Sequence, residues 1–150
     1  MKQANNVNSD EPVWLQAARR ELGQRERTGV AENNRIIWYH SFSKLKAKSE
    51  EVPWCASFVN AMLETSGIRS TKSAAAASYA TWGEPCDLKD GAVVVFGKAD
   101  PDAGGTGHVA FCVGVEDRYV LVLGGNQSNA VNIARRERSR IVAVRWPVNT

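Results

Sequence analysis

Apolar residues along this chain change their spacing once, at about residue 90, and that change restricts the fold more than any other feature. Before it they recur at helical spacing; after it they come in short runs of strand length. Pro12 opens a helix over Val13 to Leu22, with Trp14, Leu15, Ala18 and Leu22 on one face and Gly23 just past its end. Asn33-Asn34 supplies capping residues for a second helix from Arg35 to about Phe42, with Ile36, Ile37, Trp38 and Tyr39 partly buried. Ser43 to Val52 reads as a loop rich in lysine and glutamate. A third helix runs from about Trp54 to Ser66, with Phe58, Val59, Met62 and Leu63 facing the core and Gly67 as a left-handed cap. A short alanine-rich helix, Ala74 to about Trp82, follows. The remainder reads as strands at Ala92–Phe96, Val109–Val115, Tyr119–Leu123, Val131–Ala134 and Ile141–Arg145. Helices first and an antiparallel meander second predict an α+β domain.

At 150 residues this is one domain, spanning 12–150 behind a disordered polar tail at 1–11. The tail has no apolar core of the kind a signal peptide carries, so synthesis in the cytoplasm is expected, with any work outside the cell needing a separate delivery route. No apolar run approaches the length needed to cross a bilayer, so no stable membrane insertion is expected. A net charge of +3 favours polyanionic partners without selecting one. The run Arg135-Arg136-Glu137-Arg138-Ser139-Arg140 lies between two strands and reads as a solvated turn rather than a binding patch.

Three cysteines, Cys55, Cys86 and Cys112, are an odd number without metal-ligand spacing. They suit one reactive thiol and two small buried residues, and a Cys86–Cys112 bridge is disfavoured in a reducing compartment. Asp100-Pro101-Asp102 begins like a calcium loop, but Phe111 stands where the bidentate acid is needed. Gly104-Gly105-Thr106-Gly107 lacks the Gly-Lys-Ser/Thr ending of a phosphate loop. Neither metal nor cofactor is expected.

The chemistry concentrates at three positions. Cys55 falls at the start of the third helix, after Pro53-Trp54, where unpaired N–H groups and the helix dipole favour a thiolate. His108 follows a glycine loop, flexible enough to let a substrate backbone approach at Gly107, and opens a strand. It is the base that takes the thiol proton and later protonates a leaving amine. The other histidine, His40, reads as a structural or surface residue. A hairpin closed around Glu116-Asp117-Arg118 places Asn126 opposite His108, close enough to orient the imidazole. A one-residue slip would turn Asn126 away and make Gln127 the partner. Taken singly, each has an ordinary explanation: a buried cysteine, a capping histidine, a turn asparagine. Together they form a Cys-His-Asn hydrolase set. The backbone N–H of Cys55 is the natural first oxyanion donor.

Trp14-Leu15, Glu21-Leu22-Gly23, Pro53-Trp54-Cys55-Ala56, Val93-Val94-Val95-Phe96, Gly107-His108-Val109, Leu123-Gly124-Gly125-Asn126-Gln127 and Arg145-Trp146-Pro147 together resemble the single-domain NlpC/CHAP (cysteine, histidine-dependent amidohydrolase/peptidase) hydrolases of bacteria and phages. The resemblance extends from about Trp14 to Pro147. It implies a papain-like fold, with the nucleophile helix packed on an antiparallel sheet that carries the histidine. It also implies peptidoglycan as substrate, cut at an amide bond in or next to the stem peptide. By position Cys55 is the nucleophile, His108 the base and Asn126 the third polar residue, with Trp54, Gly107 and Gln127 lining the substrate. Many CHAP members carry glutamate two places before the asparagine, where this chain has Gly124, and Gly-Asp before the first strand, where it has Gly91-Ala92. A monomer with no nucleic-acid partner is expected, as a phage endolysin or an injected toxin. The rival readings are a non-catalytic wall- or glycan-binding module and a cysteine protease or deamidase acting on proteins.

Overall fold

A computed structural model of the 150-residue chain describes residues 10–26, 34–44, 54–97 and 107–148. The expectations for the tail at 1–9, Asn33, most of the loop after Ser43, Pro53 and the stretch 98–106 lie outside the described residues.

The first helix, α1 (Val13–Arg20), buries Trp14, Leu15 and Ala18 as their spacing requires. It also buries Arg19, whose guanidinium forks onto Glu11 at 2.7 and 2.8 Å. Glu11 therefore belongs to the packed domain rather than to the tail in which the sequence places it. A bidentate bond lets both charges be buried, because each satisfies the other. Glu21, just past α1, accepts hydrogen bonds from Arg35 at 2.6 and 2.8 Å and from the Tyr39 hydroxyl at 2.7 Å. That carboxylate ties α1 to α2 (Asn34–His40). Helix α3 (Cys55–Glu64) is buried at every position except Glu64. It ends as expected at Gly67, where φ is +81° and the Ile68 N–H returns to the Leu63 carbonyl at 2.9 Å.

The alanine-rich segment forms a 3-10 turn, Ala76–Thr81, rather than an α-helix. Only Ala76 and Tyr79 face the core, and their spacing of three matches the 3-10 repeat.

Among the described residues six antiparallel strands follow: β1 (Glu84–Pro85), β2 (Val93–Phe96), β3 (His108–Val115), β4 (Tyr119–Gln127), β5 (Ala130–Glu137) and β6 (Ile141–Trp146). Their order in the sheet is β1-β6-β2-β3-β4-β5. The chain is thus an α+β domain, but the meander covers only β2 to β5. The last strand crosses back to pair with β2 instead of extending past β5, with Val94 opposite Val144. Val93–Phe96 is buried at all four positions, which an edge strand could not sustain. The short β1, with Pro85, closes the edge beside β6.

One face of the sheet, including Val93, Val95, Val109, Phe111 and Leu123, packs against the helices. The other face, including Val94, Phe96, Ala110, Cys112, Val120 and Val122, forms a second core with Leu88 and Val144. Between β3 and β4 a bulge at Cys112/Gly114 shifts the pairing to Phe111 opposite Leu123, and the ladder ends there. Beyond it β4 carries Gly124-Gly125. A Cβ on Gly125 would lie 2.7 Å from Phe58 Cβ and from the Trp54 ring, so α3 rests on bare backbone. Gly125 has no left-handed φ, so Gly125→Ala tests sterics alone. It is expected to lower unfolding stability in urea by about 1–3 kcal/mol.

Candidate active site

Cys55 is the first residue of α3, and Trp54 is its N-cap. Trp54 is fully buried, stacked on Tyr39 at 5.8 Å, and its indole N–H donates to Glu26 at 2.6 Å. It anchors the helix start and does not line a substrate groove as the sequence reading has it. Cys55 itself is 7% exposed. Burial pushes its thiol pKa up; the backbone N–H groups of Val109, Ala56 and Cys55 and the charge of Arg136 work in the opposite direction without prevailing. The helix start therefore does not produce a resting thiolate: the sulfur is a neutral thiol among groups that favour its anion.

His108 opens β3 opposite Phe96 and is 4% exposed. Its Nε2 lies 2.9 Å from Gln127 Oε1. The Gln127 amide nitrogen donates to the Asn132 carbonyl at 2.8 Å, to Asn132 Oδ1 at 3.0 Å and to the Val122 carbonyl at 3.3 Å. Those acceptors fix which end of the carboxamide is oxygen, and the oxygen must receive a proton from the ring. The neutral imidazole thus carries its hydrogen on Nε2 and leaves Nδ1 as the basic nitrogen. Burial first, then the nearby Arg136 charge, lowers the ring's pKa to about 3 against the opposing effect of Gln127.

The ring partner is Gln127, not Asn126. The β4–β5 register slips between Gly124 and Gln127, and Asn126 sits in the slip with φ of +59°. A left-handed residue breaks the alternation of faces, so the next side chain turns to the histidine. Gly124 completes the arrangement. A Cβ there would lie 2.7 Å from Ala110 Cβ and 3.4 Å from the Gln127 carboxamide, so Gln127 folds back across the space that a side chain at 124 would fill. Asn126 instead lines a polar cleft of about 430 Å³ with Gln127, Ser128, Asn132 and Arg136.

Gly107 is buried with φ of +81°, and a Cβ on it would meet the Phe96 carbonyl at 3.1 Å. The glycine accommodates the chain's own backbone, not a substrate. His40 is structural: its Nδ1 lies 2.9 Å from Ser57 Oγ, in a buried network with Ser43, Asn60 and Tyr79. The three cysteines are free. The cleft of about 510 Å³ beside Trp14, Ile68, Trp82 and Trp146 lies past the far end of α3 and holds none of these groups.

His108 and Gln127 therefore meet at the start of β3, and the Cys55 sulfur lies against the backbone amide of Val109, the next residue along the strand. Among the described residues no hydrogen bond joins the sulfur to the imidazole, and both side chains are shielded. Sequence reading missed Arg136, which it placed in a solvated turn. Arg136 is a β5 residue, 8% exposed, whose Nε lies 3.4 Å from Gln127 Oε1. The signal was alternation: Asn132, Ala134 and Arg136 stand opposite Gly124, Val122 and Val120 on the face away from the helices.

The α+β scaffold thus carries a thiol at a helix start and a glutamine-bonded imidazole at a strand start. The CHAP domain model matches residues 47–126, just over half of the chain, and the protein belongs to that family. No curated protein and no solved structure matches it. CHAP domains are typically cysteine- and histidine-dependent amidohydrolases or peptidases, and the family points to peptidoglycan as substrate. The match includes Cys55 and His108 but stops at Asn126, leaving Gln127 and Arg136 outside it.

Two outcomes are expected. Gln127→Ala lowers turnover by about a hundredfold, whereas Asn126→Ala stays within about threefold of wild type; equal losses would contradict the assignment of the ring partner. His108 titrates near 6.5 when unfolded and far lower when folded, so the unfolded chain binds more protons between those values. Stability is therefore fullest above about pH 6.5 and falls on acidification. Urea unfolding from pH 7.5 down to 4.5 should show that slope in wild type and a shallower one in His108→Asn.

Proposed function

We propose that the protein hydrolyses an amide bond of peptidoglycan, in or next to the stem peptide, with Cys55 as nucleophile, His108 as base and Gln127 as the residue that orients the ring. The observation that carries this reading is the hydrogen-bond chain ending at His108: Asn132 and Val122 fix Gln127, Gln127 Oε1 accepts the Nε2–H, and Nδ1 is left as the basic nitrogen on the residue before Val109, whose amide faces the Cys55 sulfur. Both reacting groups are neutral at rest, so proton transfer accompanies attack rather than preceding it.

Nδ1 accepts the thiol proton as sulfur adds to the amide carbonyl. The Cys55 N–H, at the open end of α3, faces the developing oxyanion. Collapse breaks the C–N bond, the imidazolium protonates the departing amine, and a thioester remains. Water, deprotonated by the same nitrogen, releases the carboxylate and restores the thiol. The setting proposed is wall degradation after release or delivery, by a phage lysin or by a toxin aimed at a rival cell.

The shielding of sulfur and ring favours a second reading, a wall-binding module that has kept the fold without turnover. Mass spectrometry of purified peptidoglycan separates the two. Wild type should release fragments with a new terminus in or beside the stem peptide, and Cys55→Ala none. If both proteins bind the wall and leave it intact, the hydrolase reading is wrong.

A further inference from the structure

Arg136 projects from β5 to the face of the sheet that carries His108 and Gln127, outside the stretch that matches the family. Its Nε approaches Gln127 Oε1 at 3.4 Å, the same oxygen that accepts the ring proton at 2.9 Å. Its guanidinium lies 5.5 Å from the centre of the Phe96 ring, and Phe96 stands opposite His108 in the β2–β3 ladder. At 8% exposure the cation is held largely out of water, where its field is weakly screened. Burying a guanidinium is costly, and a solvated position on the far side of the same strand is occupied by Arg135.

We infer that Arg136 is a positioning residue that keeps the base of this site uncharged and aimed: its guanidinium shares the Gln127 oxygen with the ring and sets a fixed positive charge beside it. The inference rests on the reading of His108 as base. A second positive charge on the ring would face the guanidinium across one carboxamide oxygen, so the ring resists protonation even where the medium is acidic. The same charge favours the anionic form of the sulfur that the ring deprotonates. Arg136 touches neither sulfur nor substrate in this scheme and acts through Gln127 and its field.

Among the described residues, the groups packed around the ring are Phe96 from β2, Gln127 from β4 and Arg136 from β5, with Cys55 of α3 at the neighbouring Val109 amide. The remaining titratable groups near the helix start are engaged elsewhere: Glu26 with the Trp54 indole, Tyr39 with Glu21, and His40 with Ser57. Among the described residues, Arg136 is the charged group that bears on the ring.

The test is an NMR titration of the ring nitrogens in 15N-labelled wild type, Arg136→Met and Arg136→Lys. There are two imidazoles to assign, and His108→Asn identifies the signal by its loss. Folding of each variant is checked by circular dichroism at every pH. Wild-type His108 should keep its hydrogen on Nε2 and stay uncharged across roughly pH 5 to 8. Arg136→Met should move the onset of ring protonation upward by about one pH unit or more, while Arg136→Lys, which keeps the charge, should stay near wild type. If Arg136→Met does not fold, Arg136→Gln removes the charge while keeping a polar side chain, and the same shift is expected. A charge-free variant that is folded and titrates like wild type overturns the inference. The titration uses no wall substrate, so its failure is separate from a failure of the hydrolase reading, which the peptidoglycan digest decides.

Discussion

The site depends on one close approach, that of helix α3 to the glycine pair at the end of β4. The bare Gly125 lets Trp54 and Phe58 lie on the strand backbone, which carries the first turn of α3, and Cys55 with it, to the start of β3. The bare Gly124 lets the Gln127 carboxamide fold back beside Ala110 and reach His108. Each missing side chain makes room for a different part of the constellation. The β3–β4 ladder ends at Phe111 and Leu123, so the Val109 amide is left to face the sulfur instead of a strand partner.

The electrostatics follow from that packing. Bringing the sulfur and the ring so far under the surface penalises charge on both, and the penalty exceeds what the helix start and three N–H groups return. The resting pair is therefore thiol and imidazole, not thiolate and imidazolium. Which ring nitrogen is basic is set by the ring's tautomer. That tautomer is fixed at a distance, by Asn132 and Val122 acting on Gln127. Arg136 closes the same shell from β5.

Much of the scaffold is legible in the sequence because burial imposes periodicity. The apolar stripe of α3 with Gly67 after it, the strand runs and the thiol at the helix start are all direct consequences of what faces the core. The return of β6 to β2 was also present in the unbroken Val93–Phe96 run, which needs a neighbour on either side. Other features depend on local geometry that composition does not encode. Whether Asn126 or Gln127 meets the ring turns on one left-handed residue in a strand. Glu11, Arg19 and Arg136 look like solvent-facing charges, and only three-dimensional partners explain their burial. The fold was thus more readable than the site, since a face averages over many residues and a hydrogen bond depends on one.

The most direct test of the thiol–imidazole pair is the rate at which iodoacetamide modifies Cys55 at neutral pH, followed by mass spectrometry of its peptide, in wild type and in His108→Asn. A functioning pair predicts that loss of the imidazole slows modification by at least about tenfold while the fold is retained. A Cys55 that never reacts, or that reacts equally fast without His108, would show that sulfur and ring share a neighbourhood but not a chemistry.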